Sequence, residues 1–390
     1  MVNNEIENEV PTVESSALHI NTEETDTSSV SSTEYNYTKE SANSQTNEDD
    51  TLIIEGDYPC SEELQELIDR CNIIRLNGTL HTYKNGTFVP DIDLICSKIF
   101  KLCNDMTPTK ATSFLKGVEL ELMNNDVELQ ESPSNYIGFN NCVLDIQDSK
   151  DYEFSPTTFI LISKLGIDYY PMNSFEFNSA NVEVVNRYFH KASCGNPKLE
   201  KFLYIIIVVC ILRDNTFNTA FVLTGNNHNE DDGRSEFVEI IDRINGNSVS
   251  HENLRQLVNS KSSLELYGRT CNICEEVERP NISYMDNIRK LILGKELKVS
   301  DKFKFSPYTT LLINVKEILD FGTTLFGLKG YFKIIPFNAK RPISKSITDN
   351  LFTPANLLYI VLKGITIYNQ VLRTGNGKLP VVDVIETATA

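Results

Sequence analysis

The chain has 390 residues, of which 41% are hydrophobic. This is enough to form two ordinary domains with apolar cores, and it excludes a chain that is disordered throughout. The formal net charge of −18 is uneven, because residues 1–57 hold 14 Asp or Glu against the single Lys39 and carry −13, whereas the other 333 residues carry −5. Nine cysteines without framework spacing favour free thiols in a reducing, intracellular compartment.

The acidic segment at residues 1–57 is rich in Ser, Thr, Asn and Glu and shows no sustained apolar period. It is predicted to be a disordered tail, either a solvated linker or an acidic arm that docks a basic partner. No basic region followed by an apolar one opens the chain, so we expect no secretory signal. The longest apolar run, residues 202–212, is about half of the roughly 20 residues that a membrane span needs, and it predicts a buried helix.

The next part of the chain, residues 58–175, is predicted to be a mainly helical N-terminal domain. A first helix follows Pro59, and residues 80–90 form a small hairpin around a turn at Asn85 and Gly86. A second amphipathic helix has one apolar face, and residues 136–146 alternate like a strand or tight hairpin. The apolar positions of the two helices are Leu64, Leu67, Ile68 and Cys71, and Phe114, Leu115, Val118 and Leu122.

Strands and helices alternate from residue 176 to residue 345. Predicted strands at residues 220–224, 270–274, 309–313 and 332–336 are separated by helical segments, which indicates an α/β domain with a parallel sheet. Residues 346–390 form a C-terminal helical segment, in which Thr353 can cap a helix that has Pro354 at its first position.

Cys271 and Cys274 form a CxxC pattern inside one of the predicted strands. A structural zinc site needs four ligands, and no second cysteine pair or histidine partner lies nearby in the sequence. We therefore interpret both cysteines as core residues of the strand.

A glycine-containing loop follows the strand at residues 220–224. Gly225 begins it, and Gly233, Arg234 and Ser235 then open an amphipathic helix. This is the layout of a phosphate-binding (Walker A) loop, in which backbone N–H groups and a cation contact the phosphates and a hydroxyl contacts Mg²⁺. Taken alone, the match is weak.

Two carboxylates, Glu275 and Glu276, end the apolar strand at residues 270–274. In a phosphate-loop ATPase, acids in this position hold Mg²⁺ and polarise the attacking water. Two acids at the end of a strand are common on any surface. The order of the elements along the chain, loop first and acids second, is what raises the significance of both.

The complete set of motifs resembles the superfamily 3 helicase domain of the phage/plasmid primase-helicase family, which is similar to the C-terminal region of the poxvirus primase-helicase. The resemblance covers about residues 75–390 and includes segments on both sides of the loop. These segments are residues 86–90 (GTFVP), 112–116 (TSFLK), 141–145 (NCVLD), 165–171 (LGIDYYP), 294–304, 335–338 (IPFN) and 358–387. The primase domain that precedes this region in the family has no counterpart in residues 1–57, so priming is not expected.

The resemblance implies an AAA+-like P-loop ATPase core with ATP and Mg²⁺ as cofactors. Gly225, Gly233, Arg234 and Ser235 would then bind the nucleotide, Ser235 and Glu275 the metal, and Glu275 and Glu276 would be catalytic. It also implies a hexameric or mixed ring on single-stranded DNA, located in the cytoplasm, or in the nucleus or virus factory of a host cell. Three lysines of a hairpin in the ring's pore would contact DNA, although a solvated basic hairpin is an equally good interpretation: Lys298, Lys302 and Lys304.

Several positions depart from the family pattern. Seven residues separate the loop glycines instead of four, Arg234 replaces Lys, and the added length contains acids at residues 230–232. A carboxylate about 6 Å from a phosphate opposes binding by about 2 to 3 kcal/mol per charge pair, unless the insertion loops out into water. Lys316 stands where the sensor strand normally ends in Asn, with Asn314 two residues earlier, and Gly330 and Tyr331 occupy the positions of the basic arginine-finger residues.

Three hypotheses follow. The chain is an ATP-driven ring helicase, or a catalytically impaired ring subunit that binds DNA or proteins as a structural component, or an unrelated α/β protein whose loop match is a coincidence.

Overall fold

The computed structural model describes residues 60–103, 107–124, 129–225, 232–258, 260–275, 285–315, 329–339, 345–374, 378–380, 382 and 386–387. The predicted tail, most of the loop insertion, Glu276 and Lys316 lie outside these residues.

The first part of the described chain packs three helices against a three-stranded antiparallel sheet. The elements are α1 (Ser61–Cys71), β1 (Ile73–Leu76), β2 (Thr79–Lys84), β3 (Thr87–Val89), α2 (Ile92–Leu102) and α3 (Pro108–Asn124). The predicted apolar face of α1 is buried at all four positions, and Phe114 and Val118 of α3 pack against it. The hairpin predicted at residues 80–90 is confirmed as β2 and β3, whereas β1 was not predicted.

A second antiparallel sheet of three short strands follows, in the order β4 (Tyr136–Gly138), β5 (Val143–Asp145) and β6 (Lys150–Tyr152). Tyr136, Tyr152 and Phe159 pack as an aromatic cluster around the buried Val143 and Leu161. The strand or tight hairpin predicted at residues 136–146 is therefore confirmed. This N-terminal part is helical as predicted, but it also contains these two small sheets.

Three helices lead into the main sheet: α4 (Phe175–Asn178), α5 (Val182–Ala192) and α6 (Pro197–Ile211). Helix α6 contains most of the predicted apolar run and is buried from Phe202 to its end, so the run is a core helix. No helix in the described part of the chain is long and apolar enough to cross a membrane.

The main sheet has five parallel strands and one antiparallel edge strand. They are β7 (Ala220–Gly225), β8 (Val249–Ser250), β9 (Cys271–Cys274), β12 (Thr310–Val315), β13 (Phe332–Phe337) and the edge strand β14 (Glu386–Thr387). The spatial order is β14-β13-β7-β12-β9-β8, so β12 lies between the loop strand β7 and the acid-bearing strand β9. A separate hairpin, β10 (Leu297–Lys298) with β11 (Lys304–Phe305), precedes β12.

The remaining helices are α7 (Arg234–Asn245), α8 (Ser260–Glu265), α9 (Met285–Ile292), α10 (Lys345–Leu351) and α11 (Pro354–Thr374). Helix α7 follows the loop strand and buries the predicted face of Phe237, Ile240, Ile241 and Ile244. The predicted fold class, α/β with an AAA+-like P-loop core and a parallel sheet, is confirmed by this strand order and by the strand-loop-helix unit of β7 and α7. The predicted boundaries between domains stay predictions.

The sheet buries side chains on both of its faces. Cys271 belongs to the cluster formed with α5, α6, α7 and α11, and Cys274 to the cluster formed with α9 and the β10–β11 hairpin. Residues three apart in a strand point to opposite faces, so the two thiols cannot share a metal. Burial raises the pKa of Cys274 to about 12, which keeps it a thiol. The prediction that both are core residues is confirmed.

Candidate phosphate-loop site

The candidate site lies at the carboxyl edge of the parallel strands. Strand β7 ends at Gly225, and Val315 at the end of β12 lies beside Thr224 of β7. Strand β9 ends one residue before Glu275. Neighbouring strands are about 4.8 Å apart, so Glu275 follows a strand that lies about 10 Å from β7. The fold therefore brings the predicted loop and the first predicted acid to one edge.

Gly233 connects the loop to α7 and adopts a left-handed backbone conformation with φ of 92°. The hydroxyl of the fully buried Tyr188, from α5, donates a 2.7 Å hydrogen bond to the Gly233 carbonyl. Burial holds the pKa of Tyr188 well above its usual range, so this hydroxyl remains a donor. Tyr188, which comes 45 positions earlier in the chain, thus anchors Gly233 through this hydrogen bond.

Arg234, the residue in the position of the phosphate-binding lysine, points into the protein. Only 9% of its surface is exposed, and its guanidinium donates to the main-chain carbonyl of Val315 at the end of β12. Its Nε is buried and has no hydrogen-bond partner among the described residues. The Arg234 cation therefore binds the adjacent strand β12. A planar guanidinium can donate to the Val315 carbonyl there while it also lies beside Asp232.

Asp232 lies beside Arg234 and is 1% exposed. Its Oδ1 accepts a 3.0 Å hydrogen bond from the Arg234 main-chain N–H, and its Oδ2 lies 3.8 Å from Arg234 Nε. A Cβ built on Gly225 would overlap Asp232 Oδ2 and lie 3.1 Å from the Arg234 guanidinium carbon. The carboxylate thus fills the space between the first loop glycine and the cation.

Ser235, the predicted metal ligand, is exposed and faces a different space from Arg234. It lies at one end of an open cleft of about 560 Å³ along the outer side of α7. The other residues that line this cleft are Glu236, Glu239, Arg243, Asp349, Phe352 and Thr353. Three carboxylates and one guanidinium make the cleft acidic, which opposes the binding of a polyphosphate.

Glu275 is exposed directly after β9, and Glu276 lies outside the described residues. Among the residues that the structure describes, no group of three or more His, Cys, Asp or Glu side chains is placed to hold a metal ion. The buried Oδ1 of Asn314, on β12 between the two motifs, has no hydrogen-bond partner in the same described part. In the described part of the chain Arg234 contacts Val315 and Ser235 faces a separate cleft, an arrangement that does not fit a nucleoside triphosphate with Mg²⁺.

The three predicted DNA-contacting lysines lie on or beside the β10–β11 hairpin, and each is paired with a carboxylate. Lys298 Nζ lies 2.6 Å from Asp301, Lys304 Nζ 3.4 Å from Glu296, and Lys302 Nζ 3.5 Å from Glu119 of α3. All three pairs are exposed to solvent, where such contacts contribute about 0 to 1 kcal/mol. The lysines thus remain accessible to another anionic partner.

The hairpin is packed against the N-terminal part of the chain. Gly78, in the turn between β1 and β2, approaches the Lys302 carbonyl so closely that a Cβ there would overlap it. Tyr267 packs edge-on against Phe303 and Phe305 of the hairpin, with ring centroids 4.9 and 5.0 Å away. The hairpin therefore contacts both the β1–β2 turn, through Gly78, and the turn that precedes β9, through Tyr267.

Sequence reasoning missed the residues that determine the state of this site. Tyr188 and the Val315 carbonyl carried no signal, because a core tyrosine in an amphipathic helix and a main-chain group look the same in any sequence. The sequence shows Asp232 only as one of the three acids at residues 230–232. Its position directly before Gly233, two residues from a helical N–H, is a pattern that predicts a local hydrogen bond.

No protein-family profile and no curated protein matches this chain. Several solved structures are similar to it at low identity. An apo structure of the NrS-1 C-terminal region is 11% identical with a TM-score of 0.47, covering 80% of this chain and 74% of that one. The A form of that region is 12% identical with a TM-score of 0.43, covering 78% and 70%. JCV helicase is 13% identical with a TM-score of 0.32, covering 52% and 67%.

Proposed function

We propose that this chain is a superfamily 3 helicase-like subunit that binds DNA and partner subunits but lacks an efficient ATPase cycle. The observation that carries the proposal is the buried Arg234 guanidinium, which donates to the Val315 carbonyl instead of facing an open phosphate site. The order of the motifs along the chain supports the helicase-like assignment, and the state of the loop argues against catalysis.

Phosphoryl transfer depends on charges placed around the transferred group, because the protein does little covalent chemistry there. Arg234 is the cation beside the first loop glycine, and it contacts a carboxylate and a carbonyl. Ser235 opens onto a different, acidic cleft. The two groups that should act together on phosphate and metal therefore lie in separate environments.

DNA binding is proposed for the β10–β11 hairpin through Lys298, Lys302 and Lys304. Their ion pairs are exposed, so phosphates can replace the carboxylate partners with little loss of free energy. The described residues contain no base-reading motif. Binding would therefore depend on the sugar-phosphate backbone of single-stranded DNA and weaken as salt rises.

A hexameric ring, made of this chain alone or mixed with an active paralogue, is the assembly that the family resemblance implies. An impaired subunit can contribute to such a ring through its DNA-contacting hairpin and its surfaces, while neighbouring subunits hydrolyse ATP.

An active ATP-driven helicase is the second candidate function. Ser235 and Glu275 favour it, because both are exposed, and one lies where α7 begins and the other where β9 ends, at the loop's edge of the sheet. In this alternative the Arg234 guanidinium leaves the Val315 carbonyl when nucleotide and Mg²⁺ bind.

Measurement of ATP turnover by the purified full chain, with and without single-stranded DNA, tests the proposal. We expect the wild type to match the Glu276→Gln variant at background rate. DNA-stimulated hydrolysis that Glu276→Gln abolishes would overturn the proposal in favour of the active helicase. Mass photometry with DNA present tests the assembly, for which a strict monomer is the contradictory result.

A further inference from the structure

The loop before α7 supplies a buried carboxylate, that of Asp232, at the N-terminus of the helix. Asp232 is almost completely buried, and its Oδ1 accepts the N–H of Arg234, the first residue of a 12-residue helix. The first N–H groups of a helix have no partner inside the helix and carry partial positive charge. A carboxylate oxygen at this position makes the type of contact that a bound phosphate oxygen makes at a helix N-terminus.

The second carboxylate oxygen extends toward Gly225. It lies where a Cβ on Gly225 would be, and 3.8 Å from Arg234 Nε. The glycine at this position is thus the residue type that leaves room for the carboxylate. A phosphate group could reach Arg234 from this side only if the Asp232 side chain moved away.

One hydrogen-bond donor of Arg234, its Nε–H, has no acceptor in this arrangement among the described residues. The 3.8 Å separation is an ion-pair distance that is too long for a hydrogen bond, and Nε has no hydrogen-bond acceptor among the described residues although it is buried. A buried guanidinium N–H without an acceptor is unfavourable and marks a place where an additional acceptor would be stabilised. The site therefore retains unused capacity for an anion.

We propose that Asp232 is a tethered substitute for a phosphate group, and that its negative charge is what excludes polyphosphates from the Arg234 site. The inference rests on the proposed function, because it assumes that the loop from Gly225 to Ser235 corresponds to a nucleotide-binding loop. It identifies one side chain, Asp232, as the determinant of exclusion.

Neutralising this carboxylate should convert the site into an anion-binding site. Asp232→Asn keeps the size of the side chain and an oxygen that can accept the Arg234 N–H. The variant thus removes the Asp232 counter-charge from the guanidinium and the helix N-terminus. Removal of one charge at about 6 Å from a bound phosphate predicts a 10-fold to 100-fold gain in affinity, at low ionic strength and an effective dielectric near 20.

The experiment is calorimetric titration of the full chain with inorganic pyrophosphate and, separately, with ATP. The variants are Asp232→Asn and Asp232→Ser, a shorter neutral residue that retains a hydroxyl acceptor. Asp242→Asn is the matched control, because it removes the same charge from a partly exposed position of the same helix that does not line the cleft beside Ser235. Thermal unfolding of each variant establishes that it is folded.

We expect both Asp232 variants to bind pyrophosphate 10-fold to 100-fold more tightly than the wild type, and Asp242→Asn to bind like the wild type. The inference is overturned if folded Asp232 variants bind no more tightly than the wild type, or if Asp242→Asn gains as much. Tight binding of pyrophosphate by the wild type also overturns it. Turnover of ATP by the wild type would overturn the proposed function together with the inference. Folded Asp232 variants that gain no affinity, in a wild type without turnover, would overturn the inference alone, so the two failures are distinguishable.

Discussion

The Tyr267 hydroxyl lies 2.8 Å from Nε2 of the fully buried His81 and joins the first small sheet to the turn that precedes β9. His81 Nδ1 lies 3.1 Å from the Thr79 carbonyl, and Asn77 donates a 3.1 Å hydrogen bond to the Tyr267 oxygen. Because a carbonyl only accepts, Nδ1 carries the proton and Nε2 accepts from Tyr267. The network is complete with a neutral imidazole, and burial disfavours the charge that a second ring proton would bring.

This network predicts a dependence of stability on pH. Burial lowers the pKa of His81 to about 4, below its value of 6.5 in an unfolded chain. Between these two pH values the unfolded chain binds a proton that the folded chain does not, so stability falls as pH falls through this window. Urea unfolding should show that the wild type loses about 2 kcal/mol more than His81→Gln between pH 7.5 and pH 5. Equal losses in the two proteins would contradict the prediction.

Tyr188→Phe should destabilise the protein by about 1 kcal/mol. The change removes the 2.7 Å hydrogen bond to the Gly233 carbonyl, which keeps its second bond from the Phe237 N–H. The measurement is the urea concentration at the midpoint of unfolding, which should fall while the slope of the unfolding free energy against urea stays the same.

Tyr204→Phe provides the matched comparison. Tyr204 is fully buried, as Tyr188 is, but its hydroxyl has no hydrogen-bond partner in the described part of the chain. Removal of an unsatisfied buried hydroxyl should leave stability unchanged or raise it by up to about 1 kcal/mol. A loss as large as that of Tyr188→Phe would show that Tyr204 has a partner, such as a buried water.

Gly364→Ala should destabilise the contact between α11 and α6 by about 1 to 2 kcal/mol. A Cβ there would lie 2.9 Å from Val208 Cγ2 and 3.2 Å from the Tyr204 carbonyl oxygen. The main-chain carbonyl cannot yield, so the overlap outweighs the roughly 1 kcal/mol that alanine gains in a helix. At Gly330→Ala the new Cβ has no atom of the described residues within 4 Å, and thermal stability should change little. A stabilised Gly364→Ala variant would contradict this prediction.

Replacement of Lys298, Lys302 and Lys304 by Gln should reduce the salt dependence of single-stranded DNA binding. If each lysine contacts one phosphate, the slope of log K against log salt should fall by about 2. Fluorescence anisotropy with a labelled oligothymidine over a range of salt concentrations measures this slope.

The control removes the same total charge from three exposed lysines far from the hairpin in the sequence: Lys150, Lys198 and Lys201. An equal effect in the control would show that DNA senses only the net charge of the protein, and that the hairpin is no specific contact.

Much of the secondary structure was predictable from local patterns. The apolar spacing in α1 and α7, the turn at Asn85 and Gly86, and Pro354 at the first position of α11 each identify an element without tertiary information. The two-residue strands β8 and β14 were not predictable, since so few residues carry no period and form strands only because a neighbour is available.

The sequence by itself determined that a strand, a glycine-containing loop and a helix occur in that order, and that two acids follow a later strand. Periodicity and turn residues act locally, so they are readable along the chain. Only the tertiary structure decided that β12 separates these motifs, that Arg234 reaches the Val315 carbonyl, and that Asp232 rather than solvent lies against Gly225. Side-chain direction and charge pairing depend on residues brought together from distant parts of the chain, and the sequence does not contain those distances.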